Sequence, residues 1–157
     1  MAQKTNAARL LDQAGITYQL KEYQVDESDL SAINVANKIG FEVERVFKTL
    51  VARGDKTGVM FACIPGNLEL NLKSLATLSG NKKVEVVPLK EVQGLTGYVR
   101  GGVSPLGAKK NYPVYIDSQV EIWDSISLSA GIRGCQMLLS PQDLVKATVA
   151  VLGEIAK

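Results

Sequence analysis

The sequence predicts an α+β fold: a mixed, mostly antiparallel, barrel-like sheet with flanking helices. Three observations carry that expectation. Strand-like runs crowd the middle of the chain, helical periods lie near both ends, and the two kinds of segment do not alternate strictly as a βαβ protein requires. With 157 residues, 46 % of them apolar and 22 % charged, the chain has the composition of a soluble globular protein. Its length suits a single domain over 1–157 that buries roughly 70 % of its unfolded surface.

Thr5 can cap a first helix in which Ala7, Leu10, Leu11 and Ala14 recur at helical spacing, and Gly15 stops it. Residues 16–23 follow as a short strand, with Tyr18 and Leu20 alternating against polar neighbours. Ile33, Ala36 and Ile39 mark a second helix that starts near Ser28 or Asp29 and ends at Gly40. The runs 46–53 and 59–64 flank Gly54-Asp55-Lys56-Thr57-Gly58, which reads as a β-hairpin with a longer turn. A helix over 72–78 precedes Gly80, and 84–87 is a short buried strand. From Pro88 to Asn111 glycines break every period, so this stretch reads as an extended loop, functional or mobile at that length. Three strands follow, at 113–116, 125–129 and 135–139. Ser140 and Pro141 then open a last helix as cap and first residue, and it buries Leu144, Val145, Thr148, Val149, Leu152 and Ile155.

Several function classes are excluded by composition. The longest apolar run, Val59 to Ile64, is far shorter than the roughly 20 residues that cross a bilayer. The N-terminus, Met1 to Asn6, enters a helical pattern without an apolar signal core, so a cytoplasmic protein with no membrane partner is expected. Cys63 and Cys135 stand far apart in strand-like runs and read as small core hydrophobes. With no histidine and only those two cysteines, neither a structural zinc site nor a His-ligated catalytic metal can be assembled. No metal and no cofactor is expected. The missing histidine also removes Ser-His-Asp and Cys-His mechanisms. Any catalysis must use Lys, Asp, Glu, Tyr, backbone amides or groups on the substrate.

Two features remain as a candidate site. Lys48 sits in the apolar run Val46-Phe47-Lys48-Thr49-Leu50-Val51, sharing a strand face with Val46 and Leu50. Such a lysine either snorkels at an edge or faces a cavity, where burial lowers its pKa and its cation meets phosphate, carboxylate or a developing alkoxide. About fifty residues later stands Gly101-Gly102-Val103-Ser104-Pro105-Leu106-Gly107. Its glycines let backbone amides approach a ligand and Pro105 stiffens it, which suits an ester carbonyl becoming an oxyanion; a tight turn without ligand fits the same residues. It is not a nucleotide loop, because Ala108 stands where the phosphate-binding lysine is required and the dinucleotide glycine spacing is absent. The net charge of +2 is too small to name a nucleic-acid partner. Lys82, Lys83, Arg100, Lys109 and Lys110 are either solvated surface or phosphate contacts around one mouth.

The chain resembles the YbaK/EbsC aminoacyl-tRNA deacylases, relatives of the editing domain inserted in bacterial prolyl-tRNA synthetase. The matching pieces are Val46-Phe47-Lys48-Thr49-Leu50, Leu68-Glu69-Leu70 leading to Lys73 and Leu75, and Lys82-Lys83-Val84-Glu85. They continue with Thr96 to Gly107 and end with Ser129-Ala130-Gly131-Ile132-Arg133-Gly134, covering nearly the whole chain in order. The resemblance implies that Lys48 is the essential family lysine and that the loop of Gly101, Gly102, Ser104, Pro105 and Gly107 supports the aminoacyl ester. It implies further that Tyr23 lines the pocket and that Ser129, with Gly131 after it, forms the opposite wall. The expected substrate is the 3′ acceptor end of a mischarged aminoacyl-tRNA, Cys-tRNA(Pro) and also Cys-tRNA(Cys), with prolyl-tRNA synthetase as partner. In the cysteine-specific members the substrate's own thiol attacks its ester, which accords with a protein lacking an evident nucleophile. Three positions depart from the family pattern: Val25 where a histidine is frequent, Ala130 for a glycine, and Gln136 for an acid. Deacylation of another small amino acid such as Ala-tRNA(Pro), or a non-catalytic module that binds tRNA or the synthetase, are the alternatives.

Overall fold

Thr5 begins the described chain, residues 5–157 of the computed structural model, and caps helix α1 (Asn6–Gln13) by accepting from the Ala8 N–H at 3.2 Å. The same hydroxyl donates to the Ala130 carbonyl at 2.5 Å and so ties the helix to a distant loop. The expectation of no leader segment at residues 1–4 lies outside the described residues. Strand β1 (Gln19–Glu22) follows, then helix α2 (Ala32–Ile39), capped by the Ser31 hydroxyl and ended by Gly40 in the left-handed region. The hairpin of β2 (Phe47–Gly54) and β3 (Gly58–Pro65) pairs in full register, from Phe47 opposite Pro65 to Gly54 opposite Gly58. Helix α3 (Leu72–Ser79) comes next, stopped by Gly80, followed by β4 (Val84–Val86) and helix α4 (Leu89–Thr96). The chain ends with β5 (Val114–Asp117), β6 (Ile126–Ser129), β7 (Cys135–Leu139), helix α5 (Pro141–Thr148) and β8 (Val151–Gly153).

The strands form two sheets, β1-β7-β6 and β4-β2-β3-β5-β8. Pairing is parallel for β3 with β5 and β5 with β8, and antiparallel in the other ladders. This is the α+β, mixed and mostly antiparallel arrangement expected, built as two sheets without a closed barrel. A parallel bridge from Val46 to Ser127 joins them at the entry to β2.

The hairpin divides the interior by its two-residue period. Phe47, Val51, Phe61 and Cys63 enter the larger core, which α1 joins through Ala7, Ala8 and Leu11. Ala52, Met60, Ala62 and Ile64 enter a second core closed by Leu75 and Ile155. Both cysteines are free and buried, and burial pushes the Cys63 thiol up to about 12. Asp117, 2 % exposed, accepts from the Ile155 and Ala156 N–H groups at 2.9 and 3.0 Å and latches the C-terminal segment onto β5.

Three segments differ from expectation. Helix α2 starts at Ala32 because Ser31 is its cap, while Asp26 and Asp29 are spent on turn bonds to Ser28 and Ser31. Its Ile33, expected in the core, is 55 % exposed, and Val35 is buried in its stead. Residues 88–111 are not loop throughout, since α4 occupies their first part with Val92 and Thr96 buried and Gly97 as its left-handed stop. The last helix ends at Thr148 rather than running to Ile155: Val149 turns left-handed at φ +53° and the next residues pair with β5 as strand β8. The β-branched residues there serve an available strand partner better than a helix. Val149 is 85 % exposed, against the expectation that it is buried.

Candidate active site

Lys48 lies at the start of β2, on the face that carries Leu50 and Ala52, where the hairpin emerges from the second core. Half-buried, it stands in the wall of a cleft of about 730 Å³, of the size that holds a small ligand. Desolvation pulls its pKa below the ordinary value for lysine, and the Glu69 carboxylate partly offsets that pull. Among the described residues its ammonium makes no ion pair and no hydrogen bond. A cation partly stripped of water, with the Glu69 carboxylate acting on it but not in direct contact, is poised for an anionic or strongly polar ligand.

The opposite side of the cleft comes from β6, β7 and the loop after α4. Ser129 Oγ accepts from the Gly131 N–H at 3.1 Å, which leaves its own proton for a ligand. Gln136 is 5 % exposed, and its Oε1 accepts from Ser127 Oγ at 2.6 Å, so the carboxamide is held in one orientation. The glycine-rich loop divides by position. Gly101 and Val103 line the cleft, and their N–H groups have no hydrogen-bond partner among the described residues, whereas the Gly102 N–H donates to the Val99 carbonyl at 2.8 Å. Ser104 is fully buried behind them and accepts from the Leu106 N–H at 3.2 Å. Pro105 and Gly107 border a separate cavity of about 450 Å³ near α5. Gly107 has φ +67°, and a Cβ there would stand 2.6 Å from the Asn6 carbonyl carbon, so it is glycine because α1 packs onto it.

Of the expected site residues, Lys48, Gly101 and Ser129 therefore meet in one cleft, with Gly102, Ser104 and Gly131 supporting its walls from behind. Tyr23 packs with the α2 cluster of Val35, Ala36, Ile39 and Val46, and is not among the cleft residues. Of the basic residues considered as phosphate contacts, Arg100 lines the cleft, while Lys82, Lys83, Lys109 and Lys110 do not. The sequence reading missed the approach to α2 (Leu30, Ser31, Ile33) and also Glu69 and Gln136 as wall residues. Gln136 carried the same signal as Lys48, a polar residue inside an apolar strand.

The chemistry available is limited. The thiols are buried and raised, the Tyr98 hydroxyl is pushed up to about 12 and donates to the Leu106 carbonyl at 2.7 Å, and the cleft offers no activated nucleophile. What lines it is a cation, the Glu69 carboxylate, hydroxyl and amide donors, and two residues, Gly101 and Val103, whose backbone N–H groups have no partner among the described residues. Among the described residues no three His, Cys, Asp or Glu side chains cluster to hold a metal ion, and no helix is long and apolar enough to cross a membrane.

The family model for the aminoacyl-tRNA editing domain matches residues 27–147, a span that includes Lys48, the glycine-rich loop and Ser129. The chain belongs to the aminoacyl-tRNA editing domain family. It is 47 % identical over 153 residues to the Enterococcus faecalis protein named "Putative Cys-tRNA(Pro)/Cys-tRNA(Cys) deacylase EbsC", covering 98 % of this chain and 93 % of that one. Among solved structures, hypothetical protein APE2540 superposes with a TM-score of 0.89 at 27 % identity, covering 98 % of this chain and all of the other. A crystal structure described as a "putative trans-editing enzyme for prolyl tRNA synthetase" has a TM-score of 0.86 at 25 % identity, over 97 % of this chain and 95 % of that one. The editing-domain family thus matches both the sequence and the two-sheet architecture around the cleft.

Proposed function

We propose that the protein is a cytoplasmic trans-editing deacylase that removes cysteine from Cys-tRNA(Pro), and from Cys-tRNA(Cys), working beside prolyl-tRNA synthetase as one domain. The observation that carries this reading is an unpaired, half-buried Lys48 facing a cleft that holds no activated nucleophile. The names of the Enterococcus relative and of the trans-editing structure support the choice of substrate and partner.

In this reading the bound cysteine supplies the nucleophile. Its sulfur attacks the carbonyl carbon of its own ester; the C–S bond forms as the C–O bond to the terminal ribose breaks, the thiol proton ends on the leaving ribose oxygen, and water then opens the C–S bond of the released cysteine β-thiolactone to give cysteine. Holding sulfur and carbonyl in an attack geometry contributes several kcal/mol. The free N–H groups of Gly101 and Val103 receive the developing oxyanion, each such donor contributing about 3 kcal/mol. Lys48 orients the tRNA terminus and offsets charge on the departing oxygen, Ser129 and Gln136 border the amino-acid side, and Ser104 to Gly107 brace the loop from behind.

A panel of cysteinyl, alanyl, seryl and homocysteinyl esters on the same tRNA tests the reading. Rapid loss of the cysteinyl ester with slow loss of the seryl ester supports it. Equal cleavage of esters with and without a thiol contradicts the substrate-assisted step, and binding without loss of any ester contradicts deacylation.

A further inference from the structure

The mouth of the cleft carries two arginines on interlocked loops. Arg100 lines the cleft beside Gly101, and Arg133, from the turn between β6 and β7, donates its Nε–H to the Arg100 carbonyl at 2.7 Å. The Arg133 stem lies against Gly101, where a built Cβ would stand 3.5 Å from its Cγ and Nε. The two loops meet closely: a Cβ on Gly102 would come within 3.1 Å of the Ile132 carbonyl carbon, and one on Gly131 within 3.0 Å of the Tyr98 ring. The Arg133 side chain is therefore held against the backbone of Arg100 and Gly101, at the edge of the cleft.

Neither arginine has a counter-ion among the described residues. Among the described residues the ion pairs are Arg45 with Glu42, Arg53 with Glu91 and Lys83 with Glu85. The approach to α2, whose Leu30 touches Gly101, carries Asp26, Glu27 and Asp29. Asp26 accepts from Ser28, Asp29 accepts from the Ser31 N–H, and the exposed Glu27 pairs with neither arginine. The Nη groups of Arg133 likewise have no partner among the described residues. An arginine side chain tied to the backbone of a second arginine, neither with a carboxylate partner among the described residues, brings two sets of guanidinium donors to the same pair of loops, a composition suited to a phosphodiester.

We propose that Arg100 and Arg133 form a phosphate clamp at the cleft mouth, gripping the RNA backbone next to the terminal nucleotide while the ester enters toward Lys48. The clamp rests on the deacylase reading in taking an RNA 3′ end as its ligand. It accounts for what the cleft interior does not supply: a grip on the strand outside the ester, independent of the amino acid.

The test is binding of an uncharged RNA hairpin, an acceptor stem ending in CCA, measured by fluorescence anisotropy between about 50 and 200 mM salt. Arg100→Gln/Arg133→Gln is expected to bind about tenfold more weakly, with a log–log salt slope shallower by roughly 0.7 to 1.4, the release expected for one to two single-strand phosphates. Arg100→Lys/Arg133→Lys, which keeps both charges, restores most of the slope. Lys56→Gln/Lys146→Gln, in the β2–β3 turn and on α5, removes the same charge from positions that do not line the cleft and leaves the slope within about 0.3 of the parent. Thermal unfolding confirms that each variant is folded; if the double glutamine variant is not, Arg100→Gln alone, at an exposed position, carries the test. A glutamine variant with the parent's affinity and slope, made from a parent that cleaves aminoacyl ester, overturns the clamp and leaves the deacylase reading standing. A parent that neither binds the hairpin nor cleaves any ester overturns both.

Discussion

Lys48 stands opposite Ile64 in the β2–β3 ladder, so the cation of the cleft grows from a strand position whose cross-strand partner is fully buried. The hairpin fixes where the ammonium emerges, and desolvation by the same neighbours makes it a weaker base than an exposed lysine.

That placement carries a sign. Because folding lowers the Lys48 pKa, the unfolded chain binds more protons between the lowered value and the ordinary 10.5, and stability from this group rises with pH across that window. Below the lowered pKa the buried charge is a standing cost. Lys48→Met is therefore expected to raise the urea midpoint at neutral pH, by a margin that shrinks as pH approaches 10.5. Deacylation by the parent should fall as pH rises through the lowered value, since the neutral amine no longer offers a cation. Urea titrations of both proteins across pH, with pH–rate profiles of the parent, check the two signs; a stability gap that widens with pH contradicts them.

Gly107 belongs to the account as a packing residue. Gly107→Ala adds a Cβ 2.6 Å from the Asn6 carbonyl carbon at φ +67°, and a loss of at least about 2 kcal/mol in unfolding free energy is expected. Chemical denaturation measures it. In the fraction that remains folded KM should change little, whereas a stable variant with a large KM change would put Gly107 at the ester.

Asp117→Ala should be among the most destabilising single changes. The carboxylate takes the N–H groups of Gln119, Ile155 and Ala156 in a buried setting, and its removal leaves them without an acceptor. A cost of about 3 kcal/mol is expected. Hydrogen exchange should show lost protection concentrated at residues 153–156, and protection retained there would contradict the latch.

Ser127→Ala tests the wall of the cleft. It deletes the donor at 2.6 Å from Gln136 Oε1, leaving a buried carbonyl oxygen unsatisfied, at about 1–2 kcal/mol. With Gln136 free to turn, KM for the charged tRNA should rise more than kcat falls. Unchanged steady-state constants would remove Gln136 from the amino-acid side.

Much of this was legible in sequence where signals are local. Thr5, Ser140 with Pro141, and Gly80 announce helix ends through backbone chemistry that needs no distant partner. The β2–β3 hairpin shows in its alternation and its flanking glycines. Lys48 was visible because a charge in an apolar strand must have somewhere to go. Helix α4 was hidden by Gly94 and by having few apolar positions, and its stability comes from burying Val92 and Thr96 against the rest of the fold. Strand β8 was hidden because Val149, Leu152 and Ile155 also satisfy a helical period, and only pairing with β5 decides between the two. Which end of the glycine loop faces the cleft was equally beyond local reading, because it depends on tertiary packing: α1 lies on Gly107, while Gly101 and Val103 line the cleft.

The most direct test of the central claim is the time course of cysteine release from Cys-tRNA(Pro) by the parent and by Lys48→Ala at neutral pH. Loss of the ester well above the uncatalysed rate with the parent, and a reduction of at least about a hundredfold in the folded variant, is the predicted result. Release by Lys48→Ala at the parent's rate would contradict the assignment of this cleft as the deacylating site.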